Sequence, residues 1–315
     1  MSGSSFPLAP LYANLAQGPE GGEAFWLTCQ DGVRIRVAVW PVGSKGTVLL
    51  FPGRTEYAEK YGMAAVDLAT RGYATIAIDW RGQGLADRLL PDRMVGHVGH
   101  FRDYQQDVQA SLALARSLGL PEPFYLMSHS MGGAIALRAL VEGLPVKAAS
   151  FSAPMWGIAM AAWMRPLAGV VTQMSEWFGQ THRFAPGTSD KSYVAEADFG
   201  GNVLTTDPDM WRYMKWQVSE RPELALAGPS IGWLHAALDE CHALSLCPAP
   251  AYPALTALGT AEKVVDVAPI HLRMAGWRGG RLEMFSGAEH EVPMETPAHR
   301  ARFFDLSAEL FDSHR

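Results

Sequence analysis

Ser130, His290 and the carboxylates Glu262 and Asp266 are residues whose types and order along the chain suit nucleophilic catalysis. Ser130 stands in Phe124-Tyr125-Leu126-Met127-Ser128-His129-Ser130-Met131-Gly132-Gly133, where an apolar run stops and a helical pattern starts at once. A strand that feeds a serine into so tight a reversal leaves its hydroxyl exposed, with a helix N-terminus behind it. Only small residues fit around such a serine, and Ser128, Gly132 and Gly133 are small. Ser128 replaces the first glycine of the usual G-x-S-x-G pattern. By itself the string would be a polar turn. Its context gives it chemical meaning, because an apolar run at 124–127 precedes it and a helix-forming run at 134–141, ended by Gly143, follows it.

A serine hydroxyl is a poor nucleophile at neutral pH and needs a base, which in turn needs an acceptor to hold its tautomer. In a strand-to-helix elbow of this kind the chain order is serine, acid, histidine. The order selects His290, in the loop that follows a β-rich run at 281–285, as the base. His129 is next to Ser130 in sequence, but neighbours across a sharp turn point apart. The acid belongs to the turn Gly259-Thr260-Ala261-Glu262-Lys263-Val264-Val265-Asp266. Glu262 is nearer the strand end and is preferred; Asp266 is placed to cap the next helix. An oxyanion needs two backbone N–H groups, here expected from Met131 and from Arg54 in the loop Phe51-Pro52-Gly53-Arg54-Thr55-Glu56.

These residues require a sheet to hold them. Runs at 25–29 and 33–40, separated by Gln30-Asp31-Gly32, form a hairpin that opens it. The apolar run 47–51 predicts a strand buried on both faces, 61–71 a helix, 73–78 another strand, 101–118 an amphipathic helix, and 146–151 a further strand. The first two dozen residues are expected to wrap over the surface. Strands alternating with helices predict an α/β fold with a mostly parallel sheet, helices on both faces, and sites at the carboxyl ends of the strands. The rhythm lapses from 154 to 252 and then resumes with strands at 253–258 and 281–285, a helix at 264–275 and a terminal helix at 297–311. The expected organisation is therefore a core of 1–153 and 253–315 interrupted by an inserted, mainly helical cap. The cap carries Trp156, Trp163, Trp177, Trp211, Trp216 and Trp233, with Met155 among its methionines. Most of these side chains should pack the cap onto the core, while Met155 and Trp156, just past the sheet, should line a substrate pocket suited to an acyl chain.

Composition narrows the partners. A net charge of -6 without a dense basic run argues against nucleic acid. Cys29, Cys241 and Cys247 are an odd set with no disulfide spacing, and the N-terminal stretch lacks the basic and apolar regions of a secretory leader, so a cytoplasmic location is expected. His235, Cys241, His242 and Cys247 lie close in sequence but form no paired C-x-x-C, and neither a metal nor any other cofactor is expected. The charge-free run 148–164 is broken by Pro154 and Gly157 and is too short to span a bilayer, so it divides into a core strand and an amphipathic piece.

With these residues placed, the chain resembles the α/β-hydrolase superfamily, and within it the bacterial lysophospholipase and monoacylglycerol lipase-like serine hydrolases. Residues 51–57 resemble the family's oxyanion loop, Asp79-Trp80-Arg81-Gly82-Gln83-Gly84 its D-x-R-G-x-G loop, 128–133 its elbow, 259–264 its acid turn and 287–290 its histidine loop. Asn202-Val203-Leu204-Thr205-Thr206-Asp207 and Gly228-Pro229-Ser230-Ile231-Gly232-Trp233 are similar to segments of the lysophospholipase-like branch. Pro52 replaces the family's common histidine, and Glu262 its commoner aspartate. The resemblance implies a serine esterase that cleaves lipid-like monoacyl esters, lysophospholipid or monoacylglycerol, through an acyl-enzyme. Transient contact of the cap with a membrane or micelle would fit that substrate, and the Arg54 cation would favour a phosphate headgroup. Two other functions stay open. An aminopeptidase or amidase could use the same triad, with Glu196, Asp198, Asp207 or Asp209 receiving an ammonium, and a non-catalytic binding protein could be built on the same fold.

Overall fold

The structure, a computed structural model, describes residues 6–160, 177 and 179–315. The expected amphipathic piece at the end of the 148–164 run, and Trp163 within it, fall largely outside the described residues.

Among the described residues nine strands form one sheet: β1 (Leu8–Ala9), β2 (Glu23–Thr28), β3 (Arg34–Trp40), β4 (Thr47–Phe51), β5 (Ala74–Asp79), β6 (Phe124–His129), β7 (Ala149–Ser152), β8 (Ala254–Gly259) and β9 (Gly280–Phe285). Their order across the sheet is β1-β2-β3-β5-β4-β6-β7-β8-β9. The first three are antiparallel, β3 meets β5 antiparallel, and every pairing from β5 through β9 is parallel. Strands β4, β5, β6, β7 and β8 are buried along their whole length, which is why β4 and the first four residues of β6 read as continuous apolar runs and not as alternating ones. Two hydrophobic clusters cover the two faces. One holds Leu49, Ile76, Leu126 and Phe151 with Val108 and Leu112 of the helix Tyr104–Ser117; the other holds Leu50, Ala77 and Met127 with Phe303, Phe304 and Phe311 of the helix Pro297–Asp312.

The chain begins its structure earlier than the sequence indicates. Leu8 and Ala9 pair with Phe25 and Ala24 of β2, and the Arg36 guanidinium donates to the Pro10 carbonyl at 2.8 Å. A two-residue strand between prolines carries no alternation, so this edge left no periodic signal. Among the described residues, 154–252 contribute no strand to the sheet; they hold the helices Tyr193–Glu196, Pro208–Glu220 and Ile231–Ser245. Asp207 and Ser230 cap the last two, accepting from the amides of Asp209 and Met210 and from that of Trp233. No helix among the described residues is long and apolar enough to cross a membrane.

Candidate active site

Parallel strands end at the same edge of the sheet, and the loops leaving β4, β6, β8 and β9, with β7 between the two pairs, bring the candidate residues together there. Ser130 follows β6 with φ 51° and ψ -120°, a conformation that costs a residue with a side chain and that aims its hydroxyl out of the turn. The helix Met131–Val141 starts at the next residue. A Cβ on Gly132 would collide with the backbone carbonyls of Phe51 and Pro52, so glycine allows the elbow to sit against the end of β4.

The acid turn and the histidine loop are stitched to each other. The Thr260 amide donates to Phe285 O at 2.9 Å, the Ala261 amide to Ala288 O at 3.0 Å, and the Gly287 amide to the Thr260 hydroxyl at 2.8 Å. Gly259 permits this approach, since a Cβ there would meet the carbonyls of Ala288 and Glu289. Held in this way, His290 Nε2 lies 2.9 Å from Ser130 Oγ, and His290 Nδ1 lies 2.7 Å from Glu262 Oε2. The other Glu262 oxygen accepts from the Val264 and Val265 amides at 2.6 and 3.1 Å. Burial alone would raise the Glu262 pKa; the hydrogen bond and charge of His290, with the two amides, outweigh it and hold the carboxyl below its usual range. An ionised carboxylate can only accept, so the proton sits on Nδ1 and the Nε2 lone pair faces the serine hydroxyl. Asp266 is not part of this chain of bonds. It caps the helix Val267–Ala275, accepting from the Ala268 amide at 3.1 Å.

The loop after β4 is clamped from the loop after β5. Gln83 Nε2 donates to Gly53 O and Glu56 O at 2.8 and 3.0 Å, and the Trp80 indole donates to Pro52 O at 2.9 Å. The Gly53 amide donates to the Glu56 carboxylate. Neither the Arg54 amide nor the Met131 amide has a protein acceptor among the described residues, so both donors stay available at the elbow.

Beneath the histidine lies a buried charged network that sequence reasoning missed. Lys60 Nζ is 2.7 Å from a carboxylate oxygen of Glu56 and 2.7 Å from one of Glu291. Glu56 also accepts from the Tyr61 hydroxyl at 2.5 Å. Burial would raise the Glu56 pKa, but Lys60 and His129 overcome it and bring it down to about 2; Glu291, buried and facing Glu56 across the shared lysine, is raised. His129 is also here, its ring 4.7 Å from that of His290 and its Nε2 3.6 Å from Glu56. Burial pushes His129 down to about 3, so it is neutral near pH 7, and its ring bonds lead to Ser152 and not to Ser130. Glu56, His129 and Glu291 bring three potential metal ligands within 4.8 Å, but the cation among them is Lys60. The signal for the network was the i, i+4 pair Glu56 and Lys60; the third member, far along the chain, gave none.

Above the site is a cavity of about 870 Å³ between the strand ends and the 154–252 segment. Its lining includes Arg54, Ser130, Met131, His290 and Met155, with Ile158 and Leu234 from the inserted segment. Trp156, expected to line it, does not. Its indole N–H is satisfied by Gly133 O at 3.1 Å, and its ring packs on Phe151 and Trp277, so the side chain that needed a buried acceptor turned into the core. Of the acidic residues proposed for an ammonium, Glu196 lines the cavity and pairs there with Lys191 at 3.3 Å, whereas Asp207 caps a helix, Asp209 pairs with Arg212 and Asp198 is exposed, all three off the cavity lining. Residues 202–207 brace the histidine loop. The Glu291 amide donates to Leu204 O at 2.8 Å and the Thr205 hydroxyl to Met294 O at 2.7 Å, while the Asn202 side chain turns its own segment.

Residues 43–297 match the family model described as "Serine aminopeptidase, S33". The chain belongs to this family. A relative from Escherichia coli, "Lysophospholipase L2", is 31% identical over 278 residues, covering 85% of this chain and 80% of that protein. A "Probable lysophospholipase L2" of Haemophilus influenzae is 28% identical over 79% of this chain and 78% of its own. Among solved structures, a soluble variant of monoglyceride lipase from Saccharomyces cerevisiae superposes with a TM-score of 0.70 at 19% identity, covering 90% of this chain and 93% of that one. The chain thus has the α/β-hydrolase fold, a mostly parallel sheet with helices on both faces.

Proposed function

We propose that this chain is a serine carboxylic-ester hydrolase acting on lipid-like monoacyl esters, with Ser130 as nucleophile, His290 as general base and acid, and Glu262 as the group that orients His290. The observation that carries the proposal is the unbroken line of contacts from Ser130 Oγ to His290 Nε2 at 2.9 Å and from His290 Nδ1 to Glu262 Oε2 at 2.7 Å. Ser130 attacks the ester carbonyl as its proton passes to Nε2. The amide N–H groups of Arg54 and Met131 receive the developing oxyanion, and Glu262 stabilises the imidazolium. Collapse breaks the acyl–oxygen bond, and the proton on Nε2 goes to the departing alcohol. Water, deprotonated by His290, then hydrolyses the acyl-enzyme and regenerates Ser130.

The mainly apolar cavity supports a substrate with an acyl chain, and the names of the lysophospholipase and monoglyceride lipase relatives support a monoacyl lipid. Asp198, Asp207 and Asp209 lie off the cavity lining, and Glu196 on its wall is matched by Lys191, which weighs against an amine-terminated substrate. The 154–252 segment is the cap over a core of 1–153 and 253–315, and it is the face that would touch a membrane or micelle while a lipid enters. Cys29, Cys241 and Cys247 are free thiols, which suits a reducing cytoplasm.

The experiment is fatty-acid release from a monomeric octanoyl ester by wild type and Ser130→Ala. The variant should stay folded and lose roughly a thousandfold or more in kcat. Retained turnover, or turnover of amino-acyl amides in place of esters, would overturn the assignment.

A further inference from the structure

The cavity above Ser130 is lined by several charged side chains, and one of them has no counter-charge. Lys60 is shared by Glu56 and Glu291, and Lys191 pairs with Glu196. Arg54 also lines the cavity, yet none of the described carboxylates pairs with its guanidinium. Its Nη1 donates to the Ala227 carbonyl at 2.8 Å, and its Cζ lies 5.6 Å from the centre of the Trp233 ring. The remaining donors of the fork have no acceptor among the described residues. Burial pushes the group down to about 10, so it is still protonated at neutral pH. Buried charges are ordinarily paired, and an unmatched cation on the wall of a ligand cavity is matched when the ligand brings an anion.

Resting on the ester-hydrolase proposal above, we infer that the Arg54 guanidinium is the recognition site for a phosphate group on the alcohol part of the ester, so that phosphate-bearing lysophospholipids are preferred over neutral monoacylglycerols. The covalent reach agrees. The backbone N–H of Arg54 faces the carbonyl oxygen in the proposed mechanism, and the guanidinium carbon is as many bonds from that nitrogen as the phosphorus of a 1-acyl, glycerol-linked lysophospholipid is from its ester carbonyl carbon. One residue can therefore hold the oxyanion with its backbone and the phosphate with its side chain. The planar fork suits two phosphate oxygens at once, and the Trp233 face and Ala227 carbonyl fix its orientation.

The test compares kcat/KM for hexanoyl esters of glycerol and of glycerol 3-phosphate, both short enough to stay monomeric, in wild type, Arg54→Lys and Arg54→Gln. The ratio of phosphate to neutral ester should fall roughly tenfold or more in Arg54→Gln and less in Arg54→Lys, which keeps the charge but loses the fork. An equal loss on both esters, or an unchanged ratio, overturns the inference. A second measurement does not depend on turnover or on the folding of the arginine variants: calorimetric titration of the Ser130→Ala protein with glycerol 3-phosphate, glycerol and inorganic phosphate. Tighter binding of glycerol 3-phosphate than of glycerol, competitive with substrate in wild type, supports a headgroup site. Equal binding of the two, or inorganic phosphate binding that leaves ester hydrolysis unaffected, overturns it. Hydrolysis surviving in Ser130→Ala would overturn the esterase proposal instead, and the titration reads the phosphate site independently of that result.

Discussion

At the scale of single residues, the two carboxylates of the acid turn separate by what each one touches. Glu262 meets His290 and the amides of Val264 and Val265, and its side chain is 1% exposed; Asp266 meets the first turn of a helix. Glu262→Gln preserves size but turns an acceptor into a group that can donate, which favours the wrong imidazole tautomer. Its kcat should fall on the order of a hundredfold to ten-thousandfold. Asp266→Ala should leave kcat near wild type and lower stability by about 1 kcal/mol, the worth of a helix cap. Steady-state kinetics with urea unfolding on both variants checks the pair, and an Asp266→Ala enzyme that loses kcat while Glu262→Gln keeps it would reverse the assignment. The distinction was legible in the sequence because it depends on short-range geometry, a turn and a helix start. The place of Trp156 was not legible. Both of its possible environments are apolar, and the choice was made by a single acceptor, Gly133 O.

At the scale of elements, strands buried on both faces announced themselves, whereas the devices that aim the loops did not. Arg36 on β3 is fully buried and donates to Asp79 at the end of β5 at 2.8 Å and to Glu59 at 2.7 and 2.6 Å. Asp79 also accepts from the Ala58 and Leu85 amides, both at 2.7 Å, so one cluster anchors the hairpin, the end of β5 and the turn that carries Lys60. No periodicity encodes such a cluster, since its members lie on separate elements and each reads alone as a surface charge. Arg36→Met would leave two buried carboxylates without their cation and should destabilise the protein by about 3–5 kcal/mol, measured by urea denaturation. A loss under about 1 kcal/mol would mean that the carboxylates had been neutralised or hydrated, and that the cluster does not anchor these elements.

At the scale of the whole molecule, the site depends on joining loops that are far apart in sequence, and the Glu56–Lys60–Glu291 network makes one of those joins. Glu56 holds the amide of Gly53 in the oxyanion loop, Glu291 follows His290, and Lys60 binds both. The two carboxylates respond to acid with opposite signs. Glu56 is lowered from the ordinary 4.5 to about 2, so between those values the unfolded chain takes up a proton that the folded one refuses. The stability contributed by ionised Glu56 is complete above 4.5 and is lost as pH falls toward 2. Glu291 is raised, so its ionisation costs stability as pH climbs past 4.5. Urea midpoints followed from about pH 5 to pH 3 should therefore fall less steeply in Glu56→Gln than in wild type. In Glu291→Gln they should fall at least as steeply, because the opposing contribution has been removed. Equal slopes in all three proteins would show that the shared lysine is not what ties the oxyanion loop to the histidine loop. The acid limb would then belong to other carboxylates, such as Glu262 and Asp312, which are also held low in the folded state.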